Sequence, residues 1–386
     1  FYDAIYGESR AGRLLKFLFV WQFLFSAPLE VATGAIGLAH YVGYFWPALK
    51  QTSLSLHWLP TSITTKPWVV LNEQWLAMGV MVLITTLAYR RIEVAGRLMV
   101  VLWAGMLATV SVVILTGLSH FDARQAFAFP TDAFTIDRSF LIGLGGAVGI
   151  AMYDFLGYYQ ICYLGDEVED APRNIPRAIL ISVIAIGLIY LTMNISILGV
   201  LPWEVVTQST HVASDMMNSV FGSTAAQVVT GMIIWTAGAS TFAAMLGYSR
   251  VPYAAARSGH FFQSLARTHP SGDFPHRSLL LVGGLATLAC LADLVTVIEA
   301  LLTSRILIQF VGQIATVFYL RSRPDLNAKL RFRMAFFPIP ALIALVGWLY
   351  IFGTSRPEVI AYGLGSLGLG VLFFLAWSRS SERQLA

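Results

Sequence analysis

Long apolar stretches alternate with short polar ones along the whole chain. Runs of about 20 apolar residues are long enough to cross a bilayer as helices. Ten lie at roughly 14–46, 74–89, 97–118, 139–165, 177–201, 221–248, 278–292, 296–320, 335–353 and 358–377. The first is long enough to be tilted, and the boundary between the seventh and eighth is short. The pattern predicts an all-α polytopic membrane protein, read as one transmembrane domain over 1–386. Segments 47–73 and 119–138, rich in Thr, Ser, Pro and aromatic residues, are expected to form short lids or interfacial pieces. Segments 249–277 and 321–334 are basic and are expected to lie along the membrane surface as amphipathic helices.

Composition agrees: 57% of residues are hydrophobic and 12% charged, about half the charged fraction of a soluble domain. The net charge of +4 is explained by topology and implies no nucleic-acid partner. With residues 1–13 placed in the cytoplasm, nineteen Lys and Arg fall in inward loops and five in outward loops. That bias puts both termini inside the cell, in an integral protein of the plasma membrane. Cys162 and Cys290 lie in apolar segments, and the seven histidines form no metal-ligand spacing, so no cofactor or metal is expected. Gly363, Gly365 and Gly368 match a dinucleotide-binding pattern but sit inside an apolar run with no preceding strand.

One stretch departs from the apolar pattern. Between Arg138 and Pro176 the run stalls at Tyr153, Asp154, Phe155, Leu156, Gly157 and Gln160 before an acidic loop that carries prolines. A carboxylate near the bilayer midplane costs a few kcal/mol even on lenient scales of about +2.5 to +3.5, so it should face protein or water. Gly143, Gly145, Gly146 and Gly149 offer a small face for close helix packing. Gly157 sits where backbone can leave helical geometry without a Cβ penalty. Two readings fit: a broken helix whose free N–H and C=O groups bind substrate, or a continuous helix with Asp154 paired to a neighbour.

Two further charges lie within spans. Glu30 follows Pro28 in the first, and Arg305 lies deep in the eighth, with Gln309 and Gln313 at helical spacing on one face. One carboxylate can neutralise Arg305 and leave the other for substrate or a proton. A buried network that only holds helices together is the alternative.

The loop Asp166-Glu167-Val168, with Pro172 and Pro176, follows an aromatic-x-Gly break at Phe155-Leu-Gly157. Ser249-Arg250-Val-Pro-Tyr253-Ala-Ala-Ala-Arg257-Ser-Gly259 and Leu320-Arg321-Ser-Arg323-Pro324-Asp325 follow in order. Together these stretches resemble the amino acid-polyamine-organocation (APC) family of secondary transporters, amino acid permease type, over essentially the whole chain.

The resemblance implies a leucine-transporter-like bundle of two inverted five-span repeats. Ten of its twelve spans would be present, with Phe1 in the loop before the family's third span and the first two missing. It implies secondary transport of amino acids by alternating access, not an enzyme activity. Substrate would bind at Tyr153, Asp154, Phe155, Leu156 and Gly157, and Glu30 or Asp154 would carry a coupling proton. Asp154 stands where many relatives have a small neutral residue, which favours a cationic substrate or a proton site. Met106 stands where some proton- or sodium-independent relatives carry a lysine. A polyamine or other organic cation is the alternative substrate, and a non-transporting membrane sensor or subunit the alternative role.

Overall fold

The computed structural model describes residues 9–56, 68–89, 95–130, 133–164, 168–270, 274–327 and 334–385. The acidic pair Asp166 and Glu167 of the sequence motif lies outside the described residues. The long helices are α1 (Arg10–Phe45), α2 (Asn72–Ala88), α3 (Ala95–Ser119), α4 (Arg138–Asp154) and α5 (Ala171–Leu198). They continue with α6 (Val212–Phe221), α7 (Ser223–Tyr248), α8 (Arg250–Arg257), α9 (His276–Ala289), α10 (Leu294–Arg305), α11 (Gly312–Ser322), α12 (Ile339–Thr354) and α13 (Pro357–Leu385).

Helices recur in order at the ten predicted apolar stretches, the fourth of them interrupted after Asp154. Among the described residues, six helical stretches are long and apolar enough to cross a membrane, while α9 and α12 are shorter apolar helices. At 17 residues each, α2 and α4 sit near the lower length limit for a span. Gly363, Gly365 and Gly368 lie inside α13.

α1 is the axis of the bundle. Its small residues Ala27, Val31, Ala35 and Ala39 let α2, α7 and α9 close in, and Met81, Met245, Val282 and Ala286 fill the shared core. Small residues allow the backbones to approach where lipid supplies no hydrophobic drive between helices. α5 is the opposite case: Leu180, Ile181, Ile184, Leu188 and Leu191 are all exposed. In water that stripe would be an aggregation patch; against lipid tails it is the ordinary solvent-facing surface.

Three local features go beyond the sequence reading. Residues 47–73 contain a two-stranded antiparallel hairpin, β1 (Thr52–Leu56) and β2 (Trp68–Leu71), an exception to the all-α pattern in a stretch of β-branched and aromatic residues. α8 carries Arg250 and Arg257 outward and buries Pro252 and Ala256, as an amphipathic surface helix should. Between α10 and α11 the chain forms a π turn over Ile306–Val311. The α-helical spacing that placed Arg305, Gln309 and Gln313 on one face therefore does not apply there, because a π turn winds by i to i+5 bonds.

Candidate functional site

Arg305 closes α10 with 0% of its side chain exposed. Burying a guanidinium costs several kcal/mol unless charge and hydrogen bonds are met, and four elements converge to meet them. Its Nη1 lies 2.6 Å from Glu30 Oε2 on α1 and donates to Tyr159 OH at 2.5 Å. Its Nε donates to Ser26 Oγ at 2.9 Å. The rings of Phe23 and Tyr159 stand 6.0 and 5.8 Å from the guanidinium carbon, within cation–π range. Tyr248, from α7, donates to Glu30 Oε1 at 2.5 Å, and Gln160 Nε2 donates to Tyr248 OH at 3.2 Å. Of the two carboxylates, Glu30 is the one that neutralises Arg305.

Beside this network the fourth span breaks. α4 ends at Asp154, and Phe155 is its C-terminal cap. The Leu156 N–H turns back to the Tyr153 carbonyl at 3.0 Å. Gly157 adopts φ +99°, which strains any residue with a Cβ. The chain then continues as a 3-10 helix over Tyr158–Leu164, so Tyr159 and Gln160 of the network lie directly after the break.

The break is held from three sides. Thr33 Oγ1 on α1 donates to the Glu30 carbonyl at 2.6 Å. A hydroxyl has one hydrogen, so in the 2.5 Å contact between Thr33 and Tyr153 Tyr153 is the donor. Tyr190 on α5 donates to the Asp154 carbonyl at 3.1 Å, and its ring meets Phe155 edge-on at 5.8 Å. Leu156 packs on the cluster of Ile306, Phe310 and Ile351 beside the π turn. The Asp154 side chain is exposed, and among the described residues its carboxylate has no ion pair.

The structure thus brings Tyr153 to Gly157 together with Glu30 and Arg305 through Thr33 and Tyr159. Sequence reasoning missed Ser26, Thr33, Tyr159, Tyr190 and Tyr248, whose hydroxyls satisfy the buried charges and pin the break. Their only signal was a hydroxyl in an apolar run. Ser, Thr and Tyr are too frequent in membrane helices for that signal to single them out.

The described residues thus form a helical bundle with a buried ion pair beside an interrupted helix. The profile of the amino acid permease family matches residues 3–374, and the chain belongs to that family. It is 26% identical over 291 residues to an uncharacterized transporter of Mycobacterium tuberculosis, covering 75% of this chain and 59% of that relative's length. It is 22% identical over 383 residues to the branched-chain amino acid permease BcaP of Bacillus subtilis, covering 96% and 78%. It is 26% identical over 386 residues to Asc-type amino acid transporter 1 of Homo sapiens, covering 97% and 69%. These relatives are transporters and permeases, not enzymes.

Proposed function

We propose that this protein carries amino acids across the plasma membrane by alternating access, with substrate bound at the break between Tyr153 and Gly157. The observation that carries the reading is the interruption of α4 at Asp154, with Gly157 at φ +99°, inside a chain of the amino acid permease family. An interrupted helix leaves backbone N–H and C=O groups without helical partners. Those groups suit the α-carboxylate and α-ammonium of an amino acid.

Asp154 is the candidate coupling group. Glu30 is engaged by Arg305 and Tyr248, so releasing its proton-binding capacity would mean breaking a buried ion pair. Asp154 has no such partner among the described residues. The same exposed carboxylate supports a second reading, in which it anchors the ammonium of a polyamine or another organic cation.

The test is uptake into proteoliposomes under an inward proton gradient, with competition by neutral, acidic and cationic amino acids and by spermidine. Amino acid uptake abolished by a protonophore and by Asp154→Asn is the expected result. Competition by spermidine alone would replace the amino acid reading with the polyamine one. Protonophore-insensitive amino acid uptake would sink the coupling role of Asp154.

A further inference from the structure

A second group of titratable residues lies away from the break, where α1 runs into the β1–β2 hairpin. A cavity of about 160 Å³ opens there, lined by Ile36, His40, Leu71, Glu73, Gln74 and Asp293 among others. His40 Nε2 on α1 stands 3.3 Å from Glu73 Oε1. Glu73 is 8% exposed and sits in the first turn of α2, where the helix dipole favours an anion. Gln74 ties the same turn to two other places. Its Oε1 accepts from the Leu71 N–H at 2.7 Å, and its Nε2 donates to the Leu291 carbonyl at 2.6 Å. The glutamine ties involve no ionisable group, whereas the His40–Glu73 contact joins two.

The other charges around the pair are few. The Lys50 side chain and the Glu73 carboxylate both reach the space beside Gly43, and the Lys50 ammonium donates to Thr210 Oγ1 at 3.0 Å. The Asp293 carboxylate accepts from the Thr296 N–H at 3.0 Å and caps α10. Asp215 is held by Ser209 Oγ at 2.5 Å. His211 Nε2 lies 2.8 Å from the His40 carbonyl, so that nitrogen carries the hydrogen and donates. Burial draws the His211 pKa below the ordinary histidine value. His211 therefore resists charging on acidification and keeps the His40 backbone in place.

We propose that His40 and Glu73 form a proton-operated latch over this cavity. With His40 protonated, the ion pair clasps the first turn of α2, and with it the hairpin, against α1. Loss of the proton removes one of the two charges, the turn loosens, and the cavity, already partly open, widens and exposes its inner wall. Histidine is the side chain that changes charge between about pH 5 and 8. Because the pair is partly exposed, screening keeps it weak, as a latch that must release requires. The inference does not depend on the transport reading.

The test uses the full chain in detergent with Cys162→Ser and Cys290→Ala, and Ile36→Cys as a reporter buried in the cavity wall. Its rate of modification by a charged methanethiosulfonate is divided by that of an exposed Gln51→Cys reporter at the same pH, which removes the shared rise in thiolate fraction; burial raises the pKa of the wall thiol, so the parent is compared with His40→Gln at each pH. The ratio should rise roughly threefold to fivefold between about pH 6 and pH 8. With His40→Gln or Glu73→Gln it should be high and flat. A flat ratio in the parent, or an unchanged rise in His40→Gln, overturns the latch. If Ile36→Cys does not fold, Ala292→Cys, which also lines the cavity, reports the same ratio with the same two outcomes.

Discussion

Removing the guanidinium of Arg305 would leave Glu30 buried beside two tyrosines with no cation. Breaking a buried pair from one side costs about 3–5 kcal/mol, whereas removing both charges together costs far less. Arg305→Gln is therefore expected to destabilise the protein by roughly that amount, and Glu30→Gln with Arg305→Gln to recover most of it. Denaturant unfolding of the two single variants and the double variant in detergent measures the coupling. Additive losses would mean that Glu30 and Arg305 do not act as a pair. Both charges were legible in the sequence because each interrupts an apolar run. Their pairing was not, since Glu30 and Arg305 are 275 positions apart in the chain, and either Glu30 or Asp154 could have met the arginine.

The glycines of α4 separate into two kinds once its neighbours are in place. A Cβ at Gly145 would collide with the Thr354 side chain on α12, while one at Gly146 would meet nothing within 4 Å. Overpacking a tight crossing typically costs about 1–3 kcal/mol, whereas Gly to Ala at an open helical site gains up to about 1 kcal/mol. Gly145→Ala is expected to lower the unfolding midpoint and Gly146→Ala to leave it unchanged or raise it. Equal effects from the two would refute the assigned packing face. The run of glycines predicted close packing, but which of them faces α12 depends on the rotation of α4, and that is set by contacts with other helices. The break followed a different logic: a polar cluster and Gly157 marked its place locally, but only the structure decided for a broken helix over a continuous one. The π turn at Ile306–Val311 carries no proline or glycine and had no such mark.

Ten spans, taken with the excess of Lys and Arg in alternate loops, predict that both ends lie on one side of the membrane. Tags at the two termini should become accessible together, from inside sealed vesicles or from outside; access on opposite sides would change the count of crossings. At this scale the amino acid sequence by itself determined the class of protein and the order of its apolar helices, and it marked where a break could fall without deciding between a broken and a continuous helix. Those follow from local quantities: the apolar length needed to cross a bilayer and the cost of polar groups within it. Only the tertiary structure decided that Glu30 rather than Asp154 meets Arg305, and that Thr33 and Tyr190 pin the break. It also decided that His40 and Glu73 meet over a cavity. Each of these depends on which helices are neighbours and how each is rotated about its axis. That is decided by packing summed over the whole bundle, to which no single stretch of chain holds the key.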